Sequence, residues 1–230
     1  MSRTRIFVAG SHTDIGKTFV ACALARAARA AALSVEALKP IASGFDAADW
    51  ADSDPGRLLA ALGRPLAEAE LDRITPWRFQ APLAPPTAAV LEGRPLPLQP
   101  VIDFCGDRLA ESRANLFIVE GVGGLMSPIA DDATGLDLMR DLGLPTVLVG
   151  GGYLGAISHT LTALEILRLQ GVPVSAVVVS QDAQPDAPDF AATVGLIRAH
   201  AGSTPVLGAP RIEATGWARD LLSLVMSATA

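Results

Sequence analysis

Lysine is nearly missing from this chain: of its 18 basic residues only Lys17 and Lys39 are lysines. There is no run of Lys or Arg either, and the formal net charge is -6. Affinity for a nucleic acid rests largely on neutralising phosphates, so this balance argues against a nucleic-acid partner. A small anionic substrate remains open, because local charge decides that. Cysteine is scarce too: Cys22 and Cys105 stand far apart with no C-x-x-C partner, and read as small buried hydrophobes and not as a metal or redox site. No apolar run reaches the length of a membrane span, and Met1-Ser2-Arg3-Thr4-Arg5 leads at once into a strand-like stretch instead of a signal peptide. A soluble, cytoplasmic protein with no membrane partner is expected. Charged residues make up 18% and aromatics 5%, against 50% hydrophobic content rich in Ala, Leu and Val. That fits a buried parallel sheet covered by helices on both faces. The length of 230 residues suffices for one substantial core, so a single domain over residues 1–230 is expected.

What the chain does have is one stretch that organises the rest. Gly10-Ser11-His12-Thr13-Asp14-Ile15-Gly16-Lys17-Thr18 follows Ile6-Phe7-Val8-Ala9 and precedes Phe19, Val20, Ala23, Leu24 and Ala27 at helical spacing. It reads as strand, phosphate loop, helix. Gly16 lets the backbone turn its amides toward an anion, Lys17 supplies a point charge for the outer phosphates, and the Thr18 hydroxyl can hold a magnesium ion. The helix N-terminus adds partial positive charge. Gly10 stands one residue earlier than the G-x-x-x-x-G-K-[ST] pattern requires, with Ser11 in its place, so the loop is a variant one.

A second short strand, Ser34 to Leu38, ends at Lys39-Pro40, and the proline holds Lys39 extended at a strand end, the edge where open parallel sheets bind ligands. Residues 41–100 are rich in Pro, Gly and Ala and read as an elaborated crossover. Its turn signals are Ser43-Gly44 and Ser53-Asp54-Pro55-Gly56, and its short helical patterns run from Arg57 to Leu62 and Thr87 to Glu92. On local sequence alone Asp54 is a helix N-cap or turn former. Val101 to Arg113 is helical, and Leu116-Phe117-Ile118-Val119 is a buried strand closing on Glu120-Gly121-Val122-Gly123-Gly124. A carboxylate there is what a magnesium–nucleotide site needs opposite its phosphate loop. Strands at 146–149, 176–179 and 206–207 then alternate with helices from Ile157 to Leu167, Phe190 to Ala199 and Trp217 to Met226. The whole predicts an α/β fold, a doubly wound, mostly parallel sheet with helices on both faces, P-loop NTPase-like.

Taken in order, the loop Gly10 to Thr18, Lys39-Pro-Ile-Ala-Ser-Gly44, Ser53-Asp54, Val119-Glu-Gly-Val-Gly-Gly124 and Leu154-Gly-Ala-Ile-Ser-His159 resemble the motifs of dethiobiotin synthetase, as far as about Pro210. The resemblance implies a ligase of biotin biosynthesis that uses ATP and Mg2+ to join CO2 to 7,8-diaminopelargonate and close a cyclic urea. By the same resemblance Lys39, Lys17 and Thr13 are catalytic. Ser43, Gly123, Gly124, Leu154, Gly155 and Ser158 bind substrate, the glycines offering backbone amides. Asp14, Ile15, Gly16, Lys17, Thr18, Asp54, Glu120, Gly121, Val122, Gly123, Gln181 and Pro210 bind the nucleotide, and Thr18, Asp54 and Glu120 surround magnesium. A homodimer is implied, with Leu154, Gly155 and Ser158 of one subunit approaching the substrate of the other. The chain departs from the family at His12, which is given no role, at Ser158 and Gln181, where Asn is usual, and in a shortened Leu207-Gly-Ala-Pro210. His159 and His200 are likewise treated as structural or surface residues. The rival reading is a partitioning or nitrogenase-reductase type switch ATPase, whose loop carries an early second lysine absent here. A cobyrinate amidotransferase ligase would need a longer chain.

Overall fold

An apolar run too short for a helix is best buried as a strand, and Thr4–Gly10 (β1) lies inside a six-stranded sheet with only Arg5 not fully buried. The computed structural model describes residues 3–184, 186–211 and 216–227, so the Met1-Ser2 start lies outside the described residues. After β1 come α1 (Lys17–Ala30) and β2 (Val35–Leu38). The crossover carries β3 (Ile41–Ser43), α2 (Asp54–Leu62), α3 (Glu68–Ile74), β4 (Trp77–Phe79), α4 (Pro85–Leu91) and α5 (Leu98–Glu111). The chain re-enters the sheet as β5 (Leu116–Glu120) and makes a hairpin of β6 (Pro128–Ala130) and β7 (Ala133–Thr134). It continues through α6 (Gly135–Leu142), β8 (Thr146–Gly150), α7 (Ala156–Leu169) and β9 (Val174–Ser180) to α8 (Phe190–His200), β10 (Val206–Ala209) and α9 (Gly216–Ser227).

The sheet order is β10-β9-β8-β1-β5-β2, every pair parallel. All residues of β5 and β8 are buried, which requires cover on both faces. That cover comes from α1 packed with α2 and α9, from α5 with α6, and from α7 with α8. Chain connections leave the sheet centre in opposite directions on the two sides of β1, and the crevice at such a reversal is where open α/β sheets bind ligands. Register then places the polar residues. Val8 of β1 pairs with Glu120 and Leu38 of β2 pairs with Val119, so Lys39, one residue on, lies beside Glu120. Cys22 and Cys105 are buried, and burial pushes both thiols up to about 12, as inert apolar groups. Among the described residues no helix is long and apolar enough to cross a membrane.

The crossover is more structured than its composition suggests. Ile41–Ser43 pairs in parallel with Trp77–Phe79, and α2 and α3 lie between them in sequence. The helix expected from Arg57 starts earlier, at Asp54, because Ser53 is its N-cap: the Ser53 hydroxyl accepts from the Gly56 N–H at 3.4 Å, with Pro55 in the first turn. Beyond the glycine run stand the β6–β7 hairpin and α6, elements too short to carry a clear hydrophobic period.

Candidate active site

The loop after β1 owes its shape to close approach and to left-handed backbone. A Cβ on Gly10 would meet the His12 carbonyl oxygen at 2.9 Å and Lys17 Cδ at 3.0 Å, so glycine is needed here even though it comes one residue early. Asp14 (φ 56) and Gly16 (φ 94) both adopt the left-handed region and turn the chain into α1. No side chain caps α1 and no acidic residue occupies its first turn, so its leading amides face the loop without a side-chain acceptor of their own. Lys17 is buried, with Nζ 3.4 Å from the His12 carbonyl oxygen. Burial, reinforced by the charge on Lys39, pushes its ammonium down to about 8.

Three strand and helix ends meet next to that loop. Lys39 is held by its N–H to the Ile74 carbonyl oxygen at 3.0 Å, and its side chain is buried. Its Nζ lies 2.7 Å from Glu120 Oε1 and 3.1 Å from Asp54 Oδ2. Thr18 Oγ1 donates to the same Glu120 oxygen at 2.5 Å. Burial alone would lower the Lys39 ammonium, but the Glu120 and Asp54 carboxylates outweigh it and hold the group above its ordinary range. Burial would likewise raise the Asp54 carboxyl, and Lys39 overcomes this and keeps it low. The local-sequence reading of Asp54 as a cap is therefore corrected: Ser53 caps α2, and Asp54 turns its carboxylate to Lys39. Glu120 Oε2 is buried and, among the described residues, has no hydrogen-bond partner. An orphaned carboxylate oxygen beside a hydroxyl and a second carboxylate fits a hard divalent cation such as Mg2+, which takes few protein ligands and completes its shell with phosphate and water.

Beside a small pocket lined by Glu120, Pro40 and the glycine run at 121–124, two larger hollows open next to the phosphate loop among the described residues. The larger, about 500 Å³, runs from Ser11, His12 and Thr13 past Met126 to His159 and Thr162 of α7. The smaller, about 150 Å³, lies between the phosphate loop and the ends of β9 and β10. On the wall they share, the His12 and His159 rings stack at 5.9 Å, and Tyr153 Oη sits 2.7 Å from His159 Nδ1. These histidines, expected to have no part in the site, line the larger hollow.

Thus Thr18, Lys39, Asp54 and Glu120 converge beside Lys17, and Thr13 lines both hollows, while Leu154, Gly155 and Ser158 stand exposed at the start of α7 and line neither, and nor does Ser43. The glycine run also differs from expectation. The Gly121 N–H donates to the Val8 carbonyl oxygen at 3.0 Å and the Gly124 N–H to Ser127 Oγ at 2.8 Å, so these amides brace the strand end and are not free for a substrate. Gln181 lines the smaller hollow, and its side-chain Oε1 accepts from the Arg211 N–H at 3.0 Å. Arg211, next to Pro210, is a residue that no motif signalled.

The AAA domain family (AAA_26) matches residues 4–219. The chain is 58% identical over 218 residues to the ATP-dependent dethiobiotin synthetase BioD of Phenylobacterium zucineum (strain HLK1), covering 95% of this chain and 93% of that one. It is 52% identical over 223 residues to the ATP-dependent dethiobiotin synthetase BioD of Caulobacter vibrioides (strain NA1000 / CB15N), covering 96% and 99%. A solved ParA family ATPase from Chlorobium tepidum TLS shares the fold with a TM-score of 0.52 over 99% of this chain and 91% of that one. At 13% identity that likeness speaks for the fold alone.

Proposed function

The chain belongs to the dethiobiotin synthetase family and is an ATP-dependent ligase that forms dethiobiotin; from that premise we propose how its residues share the work. One amine of 7,8-diaminopelargonate adds to CO2 with loss of a proton, giving a carbamate. A carbamate oxygen attacks the γ-phosphorus of ATP and ADP leaves. The second amine then attacks the carbonyl carbon of the mixed carbamic–phosphoric anhydride, phosphate departs and the urea ring closes.

Lys17 and the amides of residues 14–18 hold the outer phosphates, where a fixed cation and helix N-terminus oppose the charge that grows on the bridging oxygen. Lys39 faces the carbamate and the transferring phosphoryl group, and Thr13 and Ser43 position the diamine. Thr18, Asp54 and Glu120 would hold magnesium, which when bound neutralises β- and γ-phosphate oxygens. Gln181 and Pro210 border the base. Leu154, Gly155 and Ser158 belong to the diamine site of a partner subunit in a homodimer of single-domain chains working in the cytoplasm. The observation that supports this division best is the cluster of Lys39, Glu120, Asp54 and Thr18 beside the phosphate loop. A switch ATPase has only the shared fold in its favour. Phosphate release is expected to require both diamine and CO2 and to match dethiobiotin formed mole for mole. Release at full rate without diamine would overturn the scheme.

A further inference from the structure

Arg211 comes directly after Pro210, and three contacts hold it. Its N–H donates to Gln181 Oε1 and its Nε to the Gln181 carbonyl oxygen, each at 3.0 Å. Its guanidinium lies 4.7 Å from the ring centroid of Phe19, in the first turn of α1. The remaining guanidinium edge reaches the phosphate loop: a Cβ built on Gly16 would be 3.2 Å from Nη2. This is the N-terminal end of a 14-residue helix, the wrong end for a cation. Among the described residues no carboxylate forms an ion pair with Arg211.

Ser180 supplies a second, independent observation. It is the last residue of β9, only 2% exposed, and among the described residues its hydroxyl has no hydrogen-bond partner. The same point beside Gly16 is 2.5 Å from Ser180 Oγ. Among the described residues, then, a guanidinium with no carboxylate partner and a buried hydroxyl with no hydrogen-bond partner meet beside the loop, and both residues line the smaller hollow. What both lack is an anion with several acceptor oxygens.

We propose that Arg211 is a nucleotide-binding residue, its Nη groups taking the phosphate nearest the ribose while the Ser180 hydroxyl completes the seat. The proposal rests on the nucleotide lying across the phosphate loop with its base toward Gln181. Arg211 then acts as a fixed clamp: Gln181 and Phe19 hold the arm before the ligand arrives, so little side-chain freedom is lost on binding.

The test is a calorimetric titration of the purified protein with ADP at low and high salt. Arg211→Ala should weaken ADP binding about tenfold or more, the loss expected for one charge-assisted contact. That loss should shrink at high salt, and Arg211→Lys should lie between, having the charge but not the fork. If Arg211 only braces Gln181 and β10, Arg211→Ala will lower the melting temperature of the nucleotide-free protein and leave ADP affinity within about twofold, which overturns the proposal. Should Arg211→Ala not fold, Arg211→Gln, which keeps the backbone bond and a polar arm but lacks the charge and the Nη groups, carries the same comparison. Lys17→Ala is the control. If it leaves ADP affinity unchanged, the placement of the nucleotide is wrong, whereas loss with Lys17→Ala but not with Arg211→Ala sinks the clamp alone.

Discussion

Lys39 is the cation for two carboxylates before any ligand binds. Its Nζ touches Glu120 and Asp54 in a place where Glu120 is wholly buried. Removing one partner of such a cluster leaves an uncompensated charge, and that costs roughly 3–5 kcal/mol. Lys39→Ala is thus expected to lose about 3 kcal/mol of unfolding free energy as well as about a hundredfold or more in turnover. Denaturant unfolding measures the first. Because Glu120, Asp54 and Thr18 then lie open to a cation, added Mg2+ should raise the melting temperature of Lys39→Ala more than that of the unsubstituted protein. A variant as stable as the parent and indifferent to Mg2+ would show that the ion pair holds nothing. Lys39 was legible in the sequence because lysine is rare here and Pro40 fixes it at a strand end. The partnership of Asp54 was not, since Ser-Asp-Pro-Gly looks like any turn until register brings β2 beside β5. Arg211 was invisible for a similar reason: Gln181, Phe19 and Gly16 reach it from three separate segments.

Elements were legible where burial is two-sided. The apolar runs of β1, β5, β8 and β9 have no polar interruption to mask them, and their alternation with amphipathic helices specifies the parallel sheet. Three-residue strands such as β3 and β4 carry no period, and their pairing spans a crossover that no local pattern reports. The helix α6 had a signal that went unread: Thr134 stands three residues before Asp137, whose carboxylate accepts from the Thr134 N–H at 2.8 Å and hydroxyl at 2.7 Å. Asp137→Ala is expected to cost about 1 kcal/mol through loss of this cap. The Thr134 N–H and hydroxyl hold the Asp137 carboxyl below its ordinary 3.8. The folded value is the lower one, so its stabilisation is present above the unfolded value and is lost as pH falls through the folded value. Exposure of the side chain keeps the effect small. The gap in melting temperature between the parent and Asp137→Ala should therefore close below about pH 3.8. A gap that stayed constant down to acid unfolding would mean the carboxylate charge plays no part.

At the scale of the whole molecule, α7 presents its start to solvent. Leu154 is 89% exposed, Gly155 at φ 97 gives α7 no side-chain cap, and Ser158 is exposed beside them, although Met126 and His159 carry the larger hollow toward the same helix. A helix N-terminus without a cap suits a carboxylate, and an exposed leucine next to it suits a neighbouring subunit. In a two-fold dimer the same patch is used on both chains, so one substitution strikes the interface twice. Leu154→Arg replaces an apolar side chain with a cation on both chains, and burying an unpaired charge in an interface costs several kcal/mol. If the proposed dimer forms through this patch, the substitution is expected to raise its dissociation constant about a hundredfold or more. Because each diamine site would borrow α7 from its partner, KM for the diamine should rise with dissociation, while ADP affinity, set by the chain's own phosphate loop, should stay within about twofold. Sedimentation across a concentration series, read beside activity at the same concentrations, separates these effects. An unsubstituted protein that is monomeric and fully active at assay concentration would rule out the shared site.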